Sequence, residues 1–198
     1  RLNNTVMLTD VGKEGEFVYD STDTTSADNL GTILVTASGA RYKRVFDKKV
    51  FVKWFKEPSG GTDTTASSAA ITYAVDNSLI CVFETGTYNV VGNLYNNASV
   101  SGDKDLYLEF VGKVKIALNS ASQVDLALIV YGHNANSNVH IFGDSLEVDL
   151  NNECKGFIAV KNYGISGSTY VTDGGSCVIN LSNLTILNTY ADDTTDNS

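Results

Sequence analysis

The chain has 198 residues, 42% of them hydrophobic, and a formal net charge of −9 with a pI near 4.5. An acidic balance spread along the whole length excludes a nucleic-acid phosphate binder, which needs a basic face, and leaves solubility or neutral and polar ligands such as glycans. No run approaches the ~18 apolar residues of a membrane span, and 17 glycines with one proline among many Asn, Ser and Thr favour a β-rich build over a helical bundle.

The chain opens on Arg1 rather than Met, as a fragment or processed piece would. Glu16–Asp20 reads as a short strand, Gly31–Thr36 as a second, and Arg41–Phe46 and Val50–Phe55 as two more, with Ser38-Gly39-Ala40 as a turn signal. Residues 1–57 thus predict a small β stem or linker module. Strands this short hardly bury their own faces, so the module needs a neighbour, either the following domain or another copy of itself. Pro58-Ser59-Gly60-Gly61 is the clear breaker. Ala66, Ala70, Ile71, Ala74 and Val75 then recur at helical spacing over Thr64–Asp76, with Asp63 or Thr64 able to cap. Residues 58–78 therefore predict a breaker and a capping helix. Leu79–Phe83 reads as a strand that runs into a tight turn at Gly86-Thr87-Tyr88.

Residues 79–198 carry a repeat. Val114–Asn119, Leu146–Asn151 and Leu184–Asn188 align without gaps at offsets of 32 and 38 residues. A strand pattern precedes each: Leu106–Phe110, Val139–Phe142 and Cys177–Leu181. Leu126–Gly132 and Gly156–Lys161 supply a third strand after the first two. Three short strands per repeat suit a right-handed parallel β-helix, in which residues one turn apart stack about 4.8 Å from each other and must match chemically. Val114/Leu146/Leu184 and Ile116/Val148/Ile186 form such apolar ladders, and Lys115 falls above Glu147 as an opposite-charge pair. The fold expected is all-β: a small N-terminal β module, one capping helix, then the first coils of a right-handed parallel β-helix. An antiparallel sandwich is the rival, and it calls for hairpin turns at steadier spacing than these uneven loops give. An open coil exposes an edge, and the helix is its natural cover.

Cys81, Cys154 and Cys177 are an odd set with no CxxC and no His at ligand spacing. They read as buried reduced thiols, with no metal site and no cofactor.

Phe17–Val35, leading into Gly39-Ala40-Arg41-Tyr42-Lys43-Arg44-Val45, resembles the opening module of bacteriophage tailspikes. Val52-Lys53-Trp54-Phe55, Ser59–Thr65 and Ala69-Ala70-Ile71 are similar to that family's Trp-Phe-Gly, Gly-Asp-Gly and Ala-Ile run, and Thr85-Gly86-Thr87-Tyr88 to its Gly-Thr-Tyr turn. Lys56 stands where the family usually has Gly. The later repeats match the pectate-lyase-like β-helix in pattern. The resemblance implies a tail fibre or tailspike on the virion, a homotrimer joined to other phage tail proteins. It also implies binding, and often cleavage, of bacterial capsular polysaccharide or lipopolysaccharide at the host surface, as a polysaccharide depolymerase. The non-catalytic alternative is a trimeric stem or adaptor that links the tail to a receptor-binding domain.

Hydrolysis of a glycan needs two carboxylates about 5–9 Å apart. Glu147 and Asp149 lie at i and i+2 of one strand, so they share a face about 7 Å apart and are the candidate catalytic pair. Asp144 and Glu109 are possible additional partners, and the plain reading is an outward charge ladder with Glu147 paired to Lys115. A lyase would draw instead on Lys113, Lys115 and His140. Tyr131, Tyr163 and Tyr170, with Tyr190, are candidates for stacking on sugar rings, although tyrosine also serves strands as plain structure. Arg41, Lys43 and Arg44 form the basic cluster, placed to pair with Asp20, Asp23 or Asp28 of a neighbour in a trimeric stem.

Overall fold

Four short runs of three to five residues build the N-terminal sheet. The computed structural model describes residues 4–56, 63–97, 104–119, 129–133, 138–152, 157–162 and 177–188. Strands β1 (Thr5–Leu8), β2 (Gly15–Tyr19), β3 (Ile33–Val35) and β4 (Arg41–Arg44) pair antiparallel in the order β1-β2-β4-β3. Strand β1 carries no clear signal in the sequence, because its four residues alternate only between exposed and half-buried. The polar loop before β3 is folded by its own side chains. Asn29 Oδ1 accepts the amides of Gly31, Thr32 and Ile33, and Asp28 accepts those of Leu30 and Val35.

Strand β5 (Lys49–Phe51) leaves this sheet and pairs parallel with β6 (Ile80–Val90), with Val50 opposite Cys81. The Val50–Phe55 segment therefore does not close the N-terminal sheet. It starts the larger one, then breaks into a 3₁₀ turn at Val52–Phe55. Helix α1 (Asp63–Asp76) buries Ala66, Ala70, Ile71, Ala74 and Val75 in the same core as Cys81 and Phe83, so it covers the first rung as expected. Its start is tied to the end of β6: Asp63 Oδ2 accepts the Asn89 amide at 2.7 Å, and Thr64 Oγ1 accepts that of Val91 at 2.6 Å.

The remaining strands are β7 (Tyr95–Asn97), β8 (Leu106–Leu118), β9 (Ile129–His133), β10 (Val139–Asp149), β11 (Ile158–Asn162) and β12 (Cys177–Leu187). The chain alternates between a five-stranded parallel sheet, β12-β10-β8-β6-β5, and a three-stranded parallel sheet, β11-β9-β7. These are the first coils of a parallel β-helix. The predicted ladders fall in register: Leu146 pairs with Val114 and Leu184, Val148 with Ile116 and Ile186. Phe83 and Phe110 stack inside, 5.1 Å apart.

One expectation changes. The first two strands of each repeat are a single long strand, bent in the middle at glycine in β8 and β10 but carrying no glycine in β12, and the turn expected at Gly86 is the same bend in β6. Gly112 and Gly143 stand at φ of +74° and +129°, and the register shifts beside them. A Cβ on Gly143 would collide with the Phe110 carbonyl oxygen, and one on Gly112 with Thr85 Oγ1. Asp144 Oδ2 completes the bend by accepting the Gly112 amide at 2.7 Å.

Among the described residues β12 is the last rung of the ladder. Leu146 and Val148 are 1% and 0% exposed, whereas Leu184 and Ile186, one rung on, are 39% and 42% exposed.

Candidate functional site

The outward positions of the five-stranded sheet carry the chemistry, because the inward ones are filled by the apolar ladders. On β10 the carboxylates of Glu147 and Asp149 both face Lys115 of β8. The ammonium lies 2.7 Å from Glu147 Oε1 and 3.6 Å from Asp149 Oδ2. Asn188 Nδ2 also donates to Asp149 Oδ1 at 2.8 Å, as does the Asn151 amide at 3.2 Å. The Asn188 amide, with these others, holds the Asp149 carboxyl below its ordinary range, and the Glu147 contact raises Lys115. The structure thus brings the two candidate carboxylates together around one cation. Asp149 is held ionised, a state suited to a charge or a base and opposed to that of a general acid.

Tyr131 lies on β9, opposite Asn97 and Val160 in the backbone register. Tyr163, Tyr170, Tyr190 and Cys154 lie outside the described residues. Cys81 is buried and its thiol is pushed up by desolvation. Cys177, expected to be buried, is exposed, because β12 is an edge strand. Among the described residues no group of His, Cys, Asp and Glu could hold a metal ion, and no helix is long and apolar enough to cross a membrane.

The basic cluster finds its partners inside the chain. Lys43 pairs with Asp20 at 2.8 Å and Asp23 at 3.2 Å, and Arg41 approaches Asp23 at 3.9 Å. Arg44 is 6% exposed and donates to the carbonyls of Gly31, Glu14 and Lys13. Its guanidinium also lies over the rings of Phe17 and Trp54, 4.5 and 4.2 Å from their centroids. Burial lowers it to about 10, which leaves it charged at neutral pH.

A second cluster was not singled out from the sequence. Tyr107 and His140 stack at 4.6 Å with their planes 6° apart, and the Tyr107 hydroxyl donates to Asp105 Oδ2 at 2.9 Å. Asp105 Oδ1 accepts the Asn138 amide at 2.7 Å. Burial pulls the Asp105 carboxyl up, but the bonds from Asn138 and Tyr107 outweigh it and leave it lowered. The signal was present in the alignment: Tyr107 and His140 are both second in matching strands, 33 residues apart.

Residues 3–47 match the family model of the phage tail protein small four-stranded beta-sheet domain. The four antiparallel strands of the N-terminal sheet lie within that span. The match supports a phage tail protein and a place in the virion tail. No curated protein matches the chain. Among solved structures, the chain is similar to the tailspike protein of Acinetobacter baumannii phage AM24, at 14% identity and a TM-score of 0.41. That likeness covers 94% of this chain and 53% of the other, so the chain spans about half the length of the structure it matches.

Proposed function

We propose that this chain is a segment of a phage tailspike that recognises the host by binding bacterial capsular polysaccharide or lipopolysaccharide. The observation that carries the reading is the order of parts in one chain: a phage-tail β-sheet match at residues 3–47, then a parallel coil with a polar outer face. Residues 1–57 form the stem module that meets other tail proteins, 58–78 the cap, and 79–198 the right-handed, pectate-lyase-like coils of a homotrimer. Tyr131, Tyr163 and Tyr170 are the candidate stacking residues, and Glu147 with Asp149 the candidate carboxylates.

The clamp of Lys115 on both carboxylates favours binding without cleavage by this pair. The second reading, a non-catalytic trimeric stem, draws on the same clamp. Polysaccharide purified from the strain that the phage infects separates them. Retention of that polysaccharide by the chain, with no new reducing ends or unsaturated products, supports the binding reading. No retention leaves the stem, and turnover lost in Glu147→Gln restores the catalytic pair. Light scattering tests the trimer, and a monomer at micromolar concentration contradicts it.

A further inference from the structure

We infer that the cleft bounded by Lys48, Ser78, Ile80, Asp105 and Tyr107 is a subsite for one neutral pyranose unit, an inference that rests on the glycan-binding reading above. The register puts Ile80, Tyr107 and His140 in one cross-strand row. Their neighbours Cys81, Leu106, Leu108, Val139 and Ile141 are buried on the other face, so the row points outward. Lys48 enters from the residue before β5, held there as its carbonyl accepts the Ile80 amide at 2.9 Å. Ser78 sits at φ +54° in the tight connection between α1 and β6. The cleft between them has a volume of about 350 Å³, at the lower end of small-ligand sites, which run from about 300 to 1,000 Å³.

The lining has the two-sided chemistry of a sugar. Ile80 and the face of the Tyr107 ring turned away from His140 give an apolar wall for the C–H face of a pyranose. Asp105, Ser78 and Lys48 give acceptor and donor groups for its hydroxyls. Asp105 is fixed before any ligand arrives: Oδ2 accepts from Tyr107, and Oδ1 accepts twice from Asn138, at 2.7 and 3.3 Å. A carboxylate offers about four lone-pair sites, so one remains for a ligand hydroxyl. One cation and one carboxylate face the cleft together, and the chain carries −9 overall. That balance selects a neutral sugar over an anionic one.

The test is a titration of the ¹⁵N-labelled chain with glucose, galactose, mannose and N-acetylglucosamine, with glucuronate as the anionic control. The expected result is saturable shifts at Ser78, Ile80, Tyr107 and His140 for at least one neutral sugar. Asp105→Asn should weaken that binding roughly tenfold, as loss of one charged hydrogen bond does. Tyr107→Ala should abolish it, and unchanged thermal melts would show that both variants are folded. No shift with any neutral sugar, an affinity left unchanged by Asp105→Asn, or tighter binding of glucuronate overturns the subsite. Polysaccharide retained equally by wild type and both variants also overturns it, while the glycan-binding reading stands. If the wild type retains no polysaccharide, that reading falls, and the free-sugar titration still decides the cleft.

Discussion

Gly143 holds a backbone conformation at φ +129° that side chains rarely adopt, and it does so against the carbonyl of Phe110. Gly143→Ala should therefore cost about 3 kcal/mol through strain and overpacking, read as a lower denaturation midpoint. Gly86→Ala should cost less, since open space surrounds that position and only its φ of +150° resists. The ion pairs of the N-terminal sheet set a pH limit. Lys43 chiefly holds Asp20 below the usual carboxylate range, and the Ser26 amide chiefly holds Asp23 there. A lowered folded pKa stabilises the protein above the unfolded value of about 3.9, and the gain is lost as pH falls through the folded value. Lys43 is raised by Asp20, so its share is present below about 10.4 and lost as pH climbs through its folded value. The melting temperature should hold from neutral pH down to about 4 and then drop, and Lys43→Gln should flatten that drop.

At the scale of elements, the same residue type has different weight on successive rungs. Leu146→Ala empties a position enclosed by Val114 and Leu184 and should cost about 3 kcal/mol. Leu184→Ala, on the exposed rung, should stay within about 1 kcal/mol, with urea denaturation of both variants as the check. The ladders were legible in the sequence because a coil stacks equal positions, so chemistry recurs at Val114, Leu146 and Leu184. The cap was legible from helical spacing. The bends were not, because a glycine inside a strand pattern reads as a turn until the register is known. Nor was the transfer of β5 to the larger sheet, since Val50-Phe51 pairs with Cys81-Val82, about 30 positions away, and no local signal marks the partner. The Lys115–Glu147 pair came directly from the alignment. The Asp105–Tyr107–His140 cluster needed the alignment to be read for its outward residues as well as its inward ones.

Across the whole molecule, β12 is the outermost strand of the larger sheet among the described residues and presents Val178, Ile179, Leu184, Ile186 and Leu187. An apolar edge invites pairing between chains. Association beyond the trimer, growing with concentration in light scattering, is the expected outcome, and Ile186→Lys should reduce it by placing a charge on that edge. At the opposite end of the coil, which α1 covers, Arg44 joins Phe17 of the first sheet to Trp54 at the base of the second. Arg44→Ala should destabilise by about 2–4 kcal/mol, with the loss seen in the melt of the whole chain. Only Val45–Lys48 separate β4 from β5, and β5 lies parallel along β6. A pull on the N-terminal sheet against the far end of β6 would thus load the β5–β6 bonds together in shear rather than peel them one by one. The joint behaves as a rivet, and torque or tension from the first sheet passes into the coil with little slack.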